Sequence, residues 1–177
     1  IGHSAGGIVA RAYLADDLRD IPQRKRLART IHSYQGHRSV SRFYALGSPL
    51  RGVQPLHSKN LALRIIAWLD EHYAGAYYAP EVQYLSVTSK LVKGNAKGKS
   101  WERLAYRYYR FLCGDGDVWG DGVVPNQLCF ANGIPTLQLS NIGHSPFAKY
   151  WYNGVLKHLK KQSISIVPSW KASMIPG

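Results

Sequence analysis

The chain has 177 residues, of which 45% are hydrophobic and 19% charged, a balance typical of one soluble globular domain with a core of its own. No run in this sequence approaches the ~18 uninterrupted apolar residues of a membrane-spanning helix. Lys and Arg number 23 against 10 Asp and Glu, a formal net charge of +13, but they form no nucleic-acid-binding motif, so we expect no nucleic-acid partner.

The first half of the chain predicts two helices and one strand. Apolar residues at helical spacing predict a helix over 6–18, and a basic, polar connection follows at 22–29. The segment 41–49, SRFYALGSP, predicts a short strand that its glycine and proline end. Residues 59–73 predict a second helix from the spacing of Leu61, Ile65, Ile66, Leu69 and Tyr73.

The next segments continue this alternation of helix and strand. Residues 80–89 predict a strand whose packing residues are Val82, Tyr84 and Leu85. Residues 99–112 predict an amphipathic helix. Its apolar positions recur every three or four residues, at Trp101, Leu104, Ala105, Tyr108 and Leu112.

The last third of the chain predicts a loop, a strand and a closing helix. The stretch 113–127 is rich in glycine and aspartate and predicts a loop, followed by a strand from Ile134 to about Ser140 and a helix over 149–161. Strands that alternate with helices predict an α/β fold with a mostly parallel sheet flanked by helices. We expect one domain over residues 1–165 and a loose tail over 166–177.

The chain contains two cysteines, Cys113 and Cys129. Two cysteines at this separation are too few for a zinc site built from cysteine pairs. The sequence leaves open whether they form a disulfide, as in an exported protein, or remain two partly buried thiols.

Small residues surround one serine at the start of the chain. Gly2-His3-Ser4-Ala5-Gly6 fits the G-x-S-x-G pattern, in which the serine occupies a strained strand-to-helix turn. We expect glycine to be required at positions 2 and 6, because a side chain there would prevent the close approach of backbone segments. Ser4 is then a candidate nucleophile, and the N–H of Ala5 faces a developing oxyanion. The motif alone also fits a glycine-rich turn with an idle serine.

A serine nucleophile needs a histidine base within hydrogen-bond reach. Among seven histidines, His144 follows a predicted strand, occupies a Gly-His-Ser-Pro turn and comes near the chain end, so it is the candidate base. We expect the ring of His3, inside the motif, to point away from the hydroxyl. The others fall in polar connections or on helices and are expected at the surface: His32, His37, His57, His72 and His158.

The acid that orients the base is expected in the glycine-rich stretch 113–127. Asp121 is favoured because two valines follow it and can anchor the loop in the core. Asp115 and Asp117 are rivals that can instead cap turns through their own backbone. The spacing does not fit a calcium loop, because Trp119 occupies a ligand position and no glutamate closes the loop.

The segments GHSAGG, ALGSP, CGDGDVWGDGVVP and GHSP together resemble α/β-hydrolase serine esterases of the lipase-like kind found in plants, algae and cyanobacteria, a group loosely linked to the GPI inositol-deacylase type of lipase. The resemblance covers residues 2 to about 160, and the chain order serine, acid, histidine agrees with it. It implies an ester or lipid substrate whose carboxylic ester bond is hydrolysed, with Ser4 as nucleophile, Asp121 as acid, His144 as base and Ala5 as one oxyanion donor. It implies no metal or organic cofactor, and it leaves plastid and cytoplasm open as compartments.

The resembled fold has further parts before its nucleophile turn. The first strands, the strand that carries the serine and the loop with the second oxyanion donor have no counterpart ahead of Ile1. We therefore expect residues 1–165 to be the C-terminal half of such a domain, N-terminally truncated, and the isolated fragment to be inactive. The other hypothesis is a non-catalytic binding protein with this fold.

Two segments have alternative interpretations as contact surfaces. Residues 50–80 are rich in leucine, isoleucine, tryptophan and tyrosine, which fits an apolar acyl pocket or lid, or plain core packing. Residues 90–110 contain seven Lys and Arg against Glu102 alone. They fit contact with an anionic lipid surface, with Trp101 and the tyrosines at the interface, or a solvated helix face. The sequence does not indicate an oligomeric state.

Overall fold

A computed structural model of the chain describes residues 1–18, 21, 35–52, 59–145, 148, 150–152 and 165–167. The strands in chain order are β1 (Gly2–His3), β2 (Arg42–Leu46), β3 (Gln83–Lys90), β4 (Val92–Lys93), β5 (Trp119–Gly120), β6 (Thr136–Ser140) and β7 (Ser165–Val167). Five of them form one sheet in the order β1-β2-β3-β6-β7, parallel from β1 to β6 and antiparallel at β7. The chain is therefore an α/β protein with a mostly parallel sheet.

Three α-helices lie at the predicted places. They are α1 (Ala5–Leu14), α2 (Leu61–His72) and α3 (Ser100–Cys113). The helix predicted over 149–161 falls mostly, and the connection at 22–29 entirely, outside the described residues. No described helix is long and apolar enough to cross a membrane.

The first helix ends four residues earlier than its apolar spacing predicts. Ala15 is already extended, with φ −62° and ψ 138°. The backbone N–H groups of Asp16 and Asp17 then donate to the hydroxyls of Tyr78 and Tyr73, each at 2.9 Å. These tertiary hydrogen bonds replace helical ones, so the chain leaves the helix although Leu18 is still buried.

Two short structures interrupt the predicted loop at 113–127. The strand β5 pairs antiparallel with β4, and a 3₁₀ turn spans Asn126–Cys129. A two-residue strand carries too few side chains to show an alternating pattern, and the sequence therefore gives no sign of it. The two cysteines of this region are free thiols, and burial raises the pKa of Cys129 to about 12.

The second helix packs in the core. Five of its residues are buried, namely Leu63, Ile66, Ala67, Trp68 and Leu69. Trp68 and Leu69 pack against Ala15 and Leu18, just beyond α1. The buried Arg11 of α1 also donates to the backbone carbonyl oxygens of Leu69 and Tyr73 at the end of α2, at 3.2 and 2.7 Å. Among the described residues of 50–80, this packing favours the core interpretation over a lid.

The third helix buries only part of the predicted apolar face, since Ala105 and Leu112 pack inward whereas the other three predicted residues are exposed. Ala105 and Tyr109 are buried against Val92 of β4, whereas Trp101 and Leu104 are half exposed. The Tyr109 hydroxyl donates to the carbonyl oxygen of Val92 at 3.2 Å. A small residue and a tyrosine with a paired hydroxyl therefore make the contact, and the larger apolar side chains remain outside.

The glycines around Ser4 differ in what surrounds them. A Cβ at Gly2 would lie 2.5 Å from the Cα of Gly7, and a Cβ at Gly7 would lie 2.4 Å from the Oγ of the buried Ser48. A Cβ at Gly6 would meet no atom within 4 Å. The steric constraint expected at Gly2 is confirmed, but the one expected at Gly6 lies at Gly7 instead. The reason is that Ser48, just after β2, packs against Gly7.

We expect Gly6→Ala and Gly7→Ala to change the free energy of unfolding in opposite directions. Alanine at position 6 enters open space in a helix and raises it by about 0.5–1 kcal/mol, since alanine loses less backbone entropy than glycine. Alanine at position 7 collides with Ser48 and lowers it by about 1–3 kcal/mol. Urea unfolding followed by circular dichroism measures both, and equal effects of the two substitutions would contradict the packing described.

Candidate active site

Ser4 stands at the tip of the turn between β1 and α1. Its backbone has φ 55° and ψ −128°, a conformation that costs a residue with a side chain about 1–3 kcal/mol. Its N–H donates to the carbonyl oxygen of Leu46 at 3.1 Å, and its own carbonyl oxygen accepts from the N–H of Gly7 at 3.1 Å. The strand before the serine is expected to be missing, but a short strand, β1, leads into the turn. The hydrogen bond to Leu46 of β2 holds the turn in place.

His144 follows β6 on a loop that three other segments position. The N–H of Ile142 donates to the hydroxyl of Ser89 at 3.1 Å, and the N–H of Gly143 donates to the carbonyl oxygen of Tyr150 at 2.7 Å. The N–H of His144 itself donates to the carbonyl oxygen of Asp121 at 3.0 Å. The orientation of the imidazole is therefore fixed by the end of β3, by the acid loop and by residues that follow the loop.

The three predicted side chains converge. The Nε2 of His144 lies 2.9 Å from the Oγ of Ser4, and its Nδ1 lies 2.8 Å from the Oδ2 of Asp121. The three groups come from turns that follow β1, β5 and β6, and they are far apart in the chain. They form one continuous hydrogen-bonded relay from hydroxyl to imidazole to carboxylate.

Asp121 is almost completely buried, at 2% exposure. Its Oδ1 accepts from the N–H groups of Val123 and Val124 at 3.0 and 2.7 Å. Its Oδ2 accepts from the Tyr152 hydroxyl at 3.0 Å as well as from His144. The valines, expected to anchor this loop through their side chains, therefore also hold the carboxylate through their backbone.

The two rival carboxylates have other partners. The Oδ1 of Asp115 accepts from the N–H of Asp117 at 2.8 Å, which is a local turn. Asp117 forms a 3.0 Å ion pair with Lys93, and both side chains are exposed. Neither carboxylate takes part in the hydrogen bonds of His144 that the structure describes.

His3 lies beside the relay without entering it. Its ring centroid is 4.8 Å from that of His144, and its Nε2 is buried with no hydrogen-bond partner among the described residues. Burial, and next the nearby His144, lower the pKa of His3 from its usual 6.5. At neutral pH its ring therefore adds no positive charge next to the imidazole of His144.

Sequence reasoning missed two contributors to the acid's surroundings. Tyr152 falls in the segment predicted as a closing helix, and no motif distinguishes it there. Gly47 appears only as the end of a strand, yet it has φ 51°, and a Cβ there would lie 2.7 Å from the Oδ2 of Asp121. The one sequence signal for Gly47 is its position directly after a predicted strand. That signal does not identify which side chain packs against the glycine.

This arrangement can transfer a proton from a hydroxyl to an imidazole. Asp121 holds the Nδ1–H, which leaves Nε2 free to accept the proton of Ser4. The first N–H of α1, that of Ala5, has no partner among the described residues and lies at the positive end of the helix dipole. No family model, curated protein or solved structure matches this chain, so the geometry carries the interpretation.

We expect Tyr152→Phe to lower the free energy of unfolding by about 1.5–3 kcal/mol, the usual value of a hydrogen bond to a charged group. Burial raises the pKa of Tyr152 well above its usual value, so its hydroxyl remains a neutral donor to Asp121. Urea unfolding measures the change. Tyr77→Phe, at a tyrosine that is 54% exposed, is the control and should change it by less than about 0.5 kcal/mol. A loss no larger than that of the control would contradict the assigned hydrogen bond.

Proposed function

We propose that the protein is a serine hydrolase that cleaves a carboxylic ester through an acyl-enzyme. The observation that carries this proposal is the relay of 2.9 and 2.8 Å from Ser4 through His144 to Asp121. A serine hydroxyl is too weakly acidic to attack an ester unaided, and an oriented base removes that obstacle. A buried carboxylate behind the imidazole stabilises its protonated form.

We further propose that the fold is the C-terminal part of an α/β-hydrolase domain. The order serine, acid, histidine along the chain is the order of that fold. Ser4 and His144 follow the strands β1 and β6 of a parallel sheet, and ligands bind beyond the carboxyl ends of such strands. The positive φ of Ser4 agrees with a strained strand-to-helix nucleophile turn.

The proposed reaction has two acyl-transfer steps. The oxygen of Ser4 attacks the ester carbonyl carbon while its proton passes to the Nε2 of His144. The bond to the alcohol oxygen then breaks, and His144 returns the proton to that oxygen, which leaves an acyl-Ser4 ester. Water attacks this ester by the same route, giving its proton to His144, and the carboxylic acid leaves as Ser4 recovers its proton. No step requires a metal or an organic cofactor.

Negative charge on the substrate oxygen requires donors in fixed positions. The N–H of Ala5, at the start of α1, is the donor we assign, because it is the first of the helical N–H groups that lack intrahelical partners. The charge developing on the oxygen would also be stabilised by the positive end of the helix dipole. A donor of this kind contributes on the order of 3 kcal/mol to lowering the barrier.

We expect a fluorophosphonate probe to label the complete protein that contains this chain at Ser4, and Ser4→Ala to abolish the labelling. The probe phosphonylates an activated serine as fluoride leaves, so the loss of labelling reports the hydroxyl itself. Gel fluorescence and mass spectrometry of the labelled peptide measure it. Ser140→Ala, at an exposed serine at the end of β6, is the matched control and should retain full labelling.

The same experiment separates the enzyme from the alternatives. Equal labelling of the unmodified protein and of Ser4→Ala would reject Ser4 as nucleophile. Absence of labelling in both, for a protein that unfolds cooperatively, would favour a non-catalytic binding protein. Turnover of p-nitrophenyl esters of increasing chain length then defines the acyl group, and any turnover must be lost in Ser4→Ala.

In the complete protein that contains this chain, we expect Asp121→Asn to lower kcat for ester hydrolysis by about 10⁴, because an amide no longer holds the productive imidazole tautomer. Asp117→Asn changes an exposed carboxylate in the same loop and should leave the rate unchanged. Stopped assays with a p-nitrophenyl ester compare the two. A larger loss in Asp117→Asn than in Asp121→Asn would reassign the acid.

A further inference from the structure

The third helix presents a row of apolar side chains to the outside. Trp101, Leu104, Tyr108 and Phe111 are each between 41% and 53% exposed. Their spacing of three and four residues places them along one face of α3. We call these four side chains the apolar ridge. Large aromatic side chains at this exposure are costly in water, and a contiguous row of them indicates a contact surface.

Three arginines form a second row beside the first. Arg103, Arg107 and Arg110 follow the same helical spacing, and together with Tyr106 and Phe111 they line an open concavity of about 550 Å³. Phe111 belongs to both rows, so the two are contiguous. No carboxylate among the described residues forms an ion pair with any of the three arginines. This arginine row therefore has positive charge available for an anion outside the described structure.

The helix that carries both rows is firmly held. Its first turn is capped by Glu102, whose Oε2 accepts from the N–H of Lys99 at 2.8 Å. Gly114, with φ 82°, ends it. On its inner side the Tyr109 hydroxyl accepts from the N–H of Gly122, directly after Asp121, at 2.9 Å. Both rows are thus presented by a rigid element that touches the loop of the candidate acid.

We propose that α3 lies on the surface of a membrane that contains anionic phospholipids. The apolar ridge enters the boundary between head groups and acyl chains, and the arginine row binds the phosphates. A helix with aromatic and aliphatic residues on one face and cations on the next has the composition of interfacial helices. Guanidinium groups suit phosphates because they offer several donors in one plane.

The division into two rows favours a lipid surface over a nucleic acid. Single-stranded nucleic acids bind where aromatic rings and cations interleave, so that bases stack while phosphates are paired. Here the apolar ridge includes Leu104, which has no ring on which a base could stack, and apart from Phe111 the ridge stands on the face next to the arginines. The apolar and the cationic contacts are therefore separated around the helix and do not alternate along it. At a membrane boundary the acyl chains and the phosphates are likewise separated, because they lie at different depths.

Flotation of the protein with vesicles tests the proposal. We expect binding to vesicles of phosphatidylcholine with about one third phosphatidylserine, weaker binding to pure phosphatidylcholine, and loss of the difference at high salt. The triple variant Arg103→Gln/Arg107→Gln/Arg110→Gln should weaken binding to anionic vesicles about 100-fold. The variant Trp101→Ser/Phe111→Ser should weaken binding to both kinds of vesicle.

The controls remove exposed arginines and an exposed aromatic side chain at sites away from α3. Arg38→Gln/Arg42→Gln removes two exposed arginines, one shortly before β2 and one at its first residue. Tyr77→Ser removes an exposed aromatic side chain. Both should bind as the unmodified protein does. Ser4→Ala should also bind normally, so failure of the proposed chemistry and failure of membrane binding are distinguishable. Near-ultraviolet circular dichroism verifies that each variant is folded.

Four results would overturn the proposal. One is no flotation with anionic vesicles, and another is equal loss in the arginine variant and the Arg38/Arg42 control. The third is arginine-dependent binding of a single-stranded oligonucleotide with no binding to vesicles, which would assign the surface to a nucleic acid. Inorganic phosphate at matched ionic strength should compete no better than chloride, since a free anion does not contact the apolar ridge. Stronger competition by phosphate would assign the arginine row to a soluble anion.

Discussion

The close approach of the end of β2 to both the Ser4 turn and Asp121 holds the relay together. Ser48 packs into the space that Gly7 leaves, and its hydroxyl donates to the carbonyl oxygen of Gly2 at 3.3 Å. The preceding residue, Gly47, leaves just enough room for the carboxylate of Asp121 and the ring of Tyr152. Two adjacent residues therefore set the separation of Ser4 and Asp121, and the imidazole of His144 bridges it.

The relay is a partly buried polar network whose members have partners. Asp121 accepts four hydrogen bonds, two from backbone N–H groups and two from side chains. Such a network is rigid when it is satisfied and costly when one member is removed. His3 places no positive charge beside the imidazole of His144, because its lowered pKa keeps its ring neutral at neutral pH. A protonated imidazole at His144 would therefore lie between a carboxylate and an uncharged ring.

One tyrosine connects the relay to the outer surface. The Tyr109 hydroxyl donates to the carbonyl oxygen of Val92 and accepts from the N–H of Gly122. It therefore joins β4, α3 and the loop of Asp121 in one packed unit. The side of α3 that faces inward stabilises the acid loop, while its apolar ridge and arginine row remain outside. The helix thus has a structural role that does not depend on what its outer side contacts.

The sequence by itself determined the elements that local spacing encodes and the chemical identity of the three relay residues. Apolar periodicity located all three described helices, and glycine around Ser4, Asp121 and His144 marked the turns, because both signals arise from residues near in the chain. Only the tertiary structure decided which glycine beside Ser4 is compressed, which face of α3 is buried, and that Tyr152 completes the acid's surroundings. These depend on partners far along the chain: Ser48 opposite Gly7, Val92 opposite Ala105, and Asp121 opposite Tyr152. A periodic sequence pattern cannot predict such a contact, because the contact depends on two residues that are far apart in the chain.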